Sequence, residues 1–145
     1  MITLLNICRL NFRRVVSNYS TCLKMSEVLK TVEDVDIDPC GVYKYILIEV
    51  QEKKTKEKKN IVRGYARCEY HADILDEVEI ALKKISTNLK AKCVGGGRIQ
   101  HDAETKKIKV YGYSQGFGKA DHEISTNLLK KKYSDYTITW SDEGY

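Results

Sequence analysis

Nine consecutive residues, Val42-Tyr43-Lys44-Tyr45-Ile46-Leu47-Ile48-Glu49-Val50, constrain this chain more than any other stretch. β-branched and aromatic side chains dominate the run, so it reads as a strand. Residues 51–60 follow with five lysines, two glutamates and almost nothing apolar, which reads as a solvated hairpin loop. Residues 61–70 then return as a second strand, in which Gly64 marks a bulge or a close backbone approach. Residues 32–38 are acidic and alternating, and Pro39-Cys40-Gly41 closes them as a turn. Lys106-Lys107-Ile108-Lys109-Val110-Tyr111 alternates polar and apolar, and residues 135–140 give a short last strand.

Two segments carry helical spacing instead. Ile74, Leu75, Val78, Ala81, Leu82 and Ile85 fit one apolar face, with Asp73 as the expected N-cap. Residues 121–133 form the second helix, with Ile124, Leu128 and Leu129 as the expected apolar face. About six strands and two helices emerge without regular β-α-β alternation. The expected fold is α+β: a single small domain, a mixed β-sheet of about six strands with two α-helices.

A chain of 145 residues suits one such domain. The net charge of +5 is unevenly placed: residues 1–26 hold Arg9, Arg13, Arg14 and Lys24 and no acid. Without those four the chain has 21 basic against 20 acidic residues, a balance of +1. That disfavours generic nucleic-acid binding, which needs a sustained basic face. No apolar run approaches the ~18 residues of a membrane span. Residues 1–26 have the composition of a mitochondrial transit peptide and equally of a disordered tail, so the domain is taken as residues 32–145. The five cysteines are odd in number and include no C-x-x-C pair. That argues against a disulfide framework and a zinc site, and for reduced thiols in an intracellular, cytoplasmic protein, or a mitochondrial one through residues 1–26. His71, His101 and His122 show no H-x-x-x-H spacing, and no metal site is expected.

Three places suggest chemistry. Tyr111-Gly112-Tyr113-Ser114-Gln115-Gly116-Phe117-Gly118 reads as a strand end, a glycine-rich loop and the approach to a helix. Such a loop is either a plain turn or an anion cradle of backbone N–H groups, and it matches neither the Walker nor the dinucleotide fingerprint. Gly95-Gly96-Gly97 is costly in a plain strand and implies a bend, a bulge or backbone packed against something bulky; a phosphate loop is the sharper alternative. His71 stands where a strand ends and a helix starts, as a structural residue or a catalytic acid–base group. Lys44 lies inside the strongest strand, on a solvated face or in a ligand site.

Tyr70-His71-Ala72-Asp73-Ile74, Gly95-Gly96-Gly97-Arg98-Ile99 and Val110-Tyr111-Gly112-Tyr113-Ser114 occur together and in this order. Ile124-Ser125-Thr126, Lys132-Tyr133 and the terminal Asp142-Glu143-Gly144-Tyr145 accompany them. With these motifs the chain resembles the phosphohistidine phosphatase and janus family, from about residue 33 to the C-terminus. Residues 114–122 and the ending resemble its insect sex-regulated janus and ocnus branch. The resemblance implies a small α+β domain that removes phosphate from phosphohistidine, or phospholysine, in proteins, with no cofactor or metal. A role in sex differentiation or germline development is implied with it. The family's key histidine matches His71, its substrate-contacting lysine Lys44, its phosphate loop Ser114, Gln115 and Gly116, and a nearby arginine Arg63. The N–H of Ala72 would complete the cradle. The phosphatase branch carries other residues where this chain has Gln115 and Gly116, and contacts there run partly through backbone N–H. The implied partner is a phosphorylated protein met by a monomer, with no nucleic acid and no membrane. A phosphate-binding regulatory module that does not turn over is the competing reading.

Overall fold

The computed structural model describes residues 25–144. The expectations placed on residues 1–24 and on Tyr145 lie outside the described residues. In chain order the elements are α1 (Glu27–Thr31), β1 (Val35–Ile37), β2 (Gly41–Glu52), β3 (Lys58–Gly64), α2 (His71–Ile85), β4 (Leu89–Asp102), β5 (Lys107–Tyr111), α3 (His122–Lys132) and β6 (Thr137–Trp140). The six strands form one mixed sheet in the order β1-β3-β2-β4-β5-β6. Antiparallel pairs make its centre, and the short edge strands β1 and β6 join in parallel. The α+β expectation holds.

The apolar run that reads as a strand is β2, and it is apolar on both sides because both faces of the sheet are covered. Ile46, Ile48 and Val50 pack with Ile74, Val78 and Leu82 of α2. Tyr43, Tyr45 and Leu47 pack on the other side with Leu129 of α3. Each buried aliphatic side chain contributes about 1.5–3 kcal/mol. Leu29 of α1, wholly buried, joins the α2 side, so the packed unit includes a short helix ahead of Val32.

Three details differ from the sequence reading. First, β3 ends at Gly64, not in residues 65–70. A Cβ on Gly64 would lie 3.0 Å from the Tyr43 ring, so this glycine is a close approach. Second, α2 begins at His71 with Tyr70 as N-cap. Asp73 is then the third helical residue, and its Oδ2 accepts the Tyr70 N–H at 2.8 Å. Third, α3 turns Ile124 outward and buries His122, Ser125, Thr126 and Leu129. The hydroxyls can be buried because they bond back along the helix, Ser125 Oγ to the Asp121 carbonyl and Thr126 Oγ1 to the Glu123 carbonyl, both at 3.0 Å. Among the described residues no helix is long and apolar enough to cross a membrane.

Candidate active site

On the α2 side of the sheet, a cleft of about 480 Å³ is lined by Lys44, residues 69–72 and residues 114–117. It brings together six of the seven residues singled out above: His71, Lys44, Ala72, Ser114, Gln115 and Gly116. They come from β2, the start of α2 and the loop after β5.

The triple glycine builds the floor. It lies within β4, beside a bulge and under close packing, and is not a phosphate loop. The β2–β4 register slips between Leu47 and Ile48: Leu47 faces Gly95 and Ile48 faces Cys93, which leaves Val94 as the bulged residue. After the bulge the bare backbone is packed from both sides. A Cβ on Gly96 would meet His71 Cδ2 at 2.8 Å, the Tyr45 carbonyl at 2.9 Å and Ser114 Cβ at 3.1 Å. Gly96 is therefore the ground on which His71 and Ser114 stand side by side. Its backbone also exchanges hydrogen bonds with the segment after the loop: the Gly96 N–H donates to the Gly118 carbonyl and the Ala120 N–H to the Gly96 carbonyl, both at 3.0 Å.

His71 is buried, and its Nε2–H donates to the Gly97 carbonyl at 2.9 Å. A carbonyl only accepts, so in the neutral ring Nε2 holds the proton and Nδ1 holds the lone pair. Burial lowers the imidazole pKa below its ordinary value, and the positive charges of Lys44 and Arg98 lower it further. The Gly97 bond acts the other way. The ring is thus held neutral, in one tautomer.

The loop is closed on itself. Ser114 and Gly118 exchange backbone hydrogen bonds at 3.1 and 2.8 Å, and Ser114 Oγ accepts the Phe117 N–H at 3.2 Å. Among the described residues no acceptor takes the N–H groups of Gln115 and Gly116. Gly112, at φ +73°, makes the turn out of β5 that presents the loop. The helix following the loop does not aim at it: α3 starts only at His122, and no residue of α3 lines the cleft. The helix terminus at the cleft belongs to α2. The first N–H groups of a helix have no partner within it, so those of His71 and Ala72 are free to meet an anion.

Arg63 is the residue the structure does not bring to the cleft. It faces the α2 side of the sheet, but its Nη1 donates to the Val62 carbonyl at 2.9 Å and its Nη2 to the Glu33 carbonyl at 2.8 Å. It lines a neighbouring cavity with Asp36, Tyr65 and Glu77. The arginine that does act on His71 is Arg98, paired across the strands with Lys44. The sequence reading quoted it in the glycine motif and gave it no role; the signal was its place directly after the three glycines.

The other two histidines are structural. His122 Nδ1 accepts from the Tyr45 hydroxyl at 2.6 Å, while its Nε2–H donates to the Gly112 carbonyl at 2.9 Å. His101 donates from Nδ1 to the Asp38 carbonyl at 2.9 Å. Among the described residues no group of three or more His, Cys, Asp or Glu side chains is placed to hold a metal, and Cys40, Cys68 and Cys93 are free thiols.

Comparison with known proteins gives the same direction. Residues 29–137 match the model of the Janus/Ocnus family. The 14 kDa phosphohistidine phosphatase of Sus scrofa is 49% identical over 122 residues, which cover 81% of this chain and 95% of that one. The protein of the same name from Homo sapiens is 48% identical, with 81% and 96% covered. The sex-regulated protein janus-A of Drosophila yakuba is 53% identical over 123 residues, covering 84% of this chain and 89% of its own. A family match across most of the domain, and relatives near half identity along almost their full length, place this chain in the Janus/Ocnus family.

Proposed function

We propose that the chain is a protein phosphohistidine phosphatase that needs no metal, with phospholysine as a related substrate. The observation that carries the reading is the His71 Nε2–H bond to the Gly97 carbonyl, which leaves the Nδ1 lone pair for chemistry in a ring kept neutral by its surroundings. The phosphoryl group sits over Gly96, between His71 and Ser114. Its oxygens take the N–H groups of Ala72, Gln115 and Gly116 and the Ser114 hydroxyl, whose oxygen already accepts from Phe117 and whose hydrogen is therefore directed outward. Lys44 and Arg98 supply the positive charge, and Arg63, held on two carbonyls, adds field without contact.

The N–P bond of phosphohistidine is activated, because imidazole leaves readily once protonated. Nδ1 of His71 either takes a proton from water as that water attacks phosphorus, or attacks phosphorus itself and is then hydrolysed. In both, the N–P electron pair returns to the substrate imidazole, and water and phosphohistidine become phosphate and histidine. Both need the neutral ring. The cleft is complete within one chain, which supports a monomer, and the free thiols support a reducing compartment such as the cytoplasm. The relatives named sex-regulated support a setting in sex differentiation or germline development. Orthovanadate titration tests the cradle separately from the chemistry. His71→Ala binds vanadate about as the intact protein does and loses turnover; an equal loss of both would remove His71 from the chemical step.

A further inference from the structure

The sheet face that carries α2 is only half covered. The core under α2 extends along β2 from Val50 to Ile46 and stops there. Beyond it, strand register lays out three rows on the same face: Lys44, Arg98 and Tyr111; then Val42, Gln100 and Lys109; then Asp102 and Lys107. Gln100, Lys107 and Lys109 are exposed, while the alternate residues Ile99, Ile108 and Val110 are buried on the far side under α3. The strip starts at the cleft and runs without a break to the β6 edge.

Its charge is one-sided. Among the described residues three lysines without a salt bridge, Lys44, Lys107 and Lys109, share the strip with Asp102, and that carboxylate accepts the Thr105 N–H at 3.0 Å within its own turn. The neighbouring Lys106, by contrast, is tied to Asp135 at 2.6 Å. At the far end a shallow cavity of about 290 Å³ opens between Gln100, Lys107, Lys109 and Thr139. The chain's own residues 1–24 hold Arg9, Arg13, Arg14 and Lys24 and no acid, which is the wrong sign to cover the strip.

We propose that this strip docks the extended segment beside the phosphohistidine of the substrate protein, and that the segment carries Asp or Glu there. The inference rests on the phosphatase reading for the position of the phosphohistidine. The spacing follows from sheet geometry. With strands ~4.8 Å apart and ~3.4 Å per residue along them, Lys109 is about 12 Å and Lys107 about 17 Å from Lys44. An extended chain covers that in about three to five residues. Acidic protein fits better than nucleic acid, because the strip offers two outer lysines and one half-buried aromatic ring, no stacking series and no long basic track.

The test uses the full chain and a labelled, unphosphorylated peptide with a central histidine and glutamates about three to five positions away. Anisotropy reads its binding at low and physiological salt. The double charge reversal K107E/K109E is expected to weaken binding about five- to thirty-fold, and binding to the intact protein to fall with salt. On the phosphorylated peptide kcat/KM falls by the same factor, while turnover of free phosphohistidine, which reaches only the cleft, is unchanged. Equal affinity of the intact protein and the variant overturns the proposal. So does equal binding of a peptide with lysines at those positions, or tighter binding of a single-stranded oligonucleotide. Failure of the phosphatase reading is distinct: the intact protein would then release nothing from free phosphohistidine, and the anisotropy arm would still decide docking.

Discussion

Adding one methyl group at the floor of the cleft, Gly96→Ala, should separate activity from folding. The new Cβ would lie 2.8 Å from His71 Cδ2, and ordinary contact begins at 3.4 Å, so the ring must retreat by 0.6 Å. The Tyr45 carbonyl at 2.9 Å must also shift, a backbone adjustment of the β2–β4 ladder that adds to the cost in stability, and Ser114 Cβ at 3.1 Å gives a little. The larger displacement falls on the imidazole, a side chain, rather than on the backbone. A retreat of that size stretches the 2.9 Å bond to Gly97 toward 3.5 Å, where a hydrogen bond is nearly lost. Overpacking of this kind costs about 1–3 kcal/mol, which a domain of this size survives. Misplacing a reacting group by nearly an ångström costs about 10²-fold in turnover. The expected result is a folded protein with kcat on phosphohistidine down about 100-fold and a Tm lowered by several degrees. Thermal unfolding and initial-rate phosphate release on one preparation check it. Turnover within about two-fold of the intact protein, with the variant folded, would refute the reasoning that Gly96 sets the position of His71.

Other outcomes follow from the same geometry. Activity should fall as pH drops through the His71 pKa, which lies below the ordinary imidazole value; since Lys44 helps depress it, Lys44→Met should move the acid limb of kcat/KM toward higher pH as well as weaken binding. An unmoved limb would remove Lys44 from the electrostatics of His71. Ser114→Ala removes both the acceptor of the Phe117 N–H and a phosphoryl donor, and kcat/KM should drop about 10- to 1,000-fold with little change in Tm. Tyr45→Phe strands the buried Nδ1 of His122, and denaturant unfolding should show a loss of about 1–3 kcal/mol.

Much of this was legible in the sequence where a local pattern and a physical requirement coincide. The β2 run announced a strand, though not that both its faces are buried, and Lys44 inside it reads as a solvated residue or one lining a ligand site; the structure puts it at the cleft. His71 at the start of a helix and the Ser114 loop were visible because both leave backbone N–H groups unused, although β3 ends at Gly64, well before His71. What stayed hidden depended on partners far along the chain. The three glycines implied a bend, a bulge or backbone packed against something bulky; that a bulge precedes them and that the His71 ring presses on one residue and the Tyr45 and His122 rings on the next is a matter of tertiary packing. Arg63 and Arg98 stand on the same sheet face; the charge of Arg98 acts on His71, while the carbonyls of Val62 and Glu33 capture Arg63. The inner face of α3 was misjudged because Ser125 and Thr126 are polar by type yet satisfied within their own helix, so they could be buried in place of Ile124.

The central claim is that this cleft hydrolyses phosphohistidine with His71 at its centre. It is tested most directly by phosphate release from a phosphohistidine peptide in the presence of a metal chelator, for the intact protein and for His71→Ala. The account predicts release by the intact protein, undiminished by the chelator, and a loss of at least about 10²-fold in the variant. No release by the folded intact protein, or equal release by both, would contradict it.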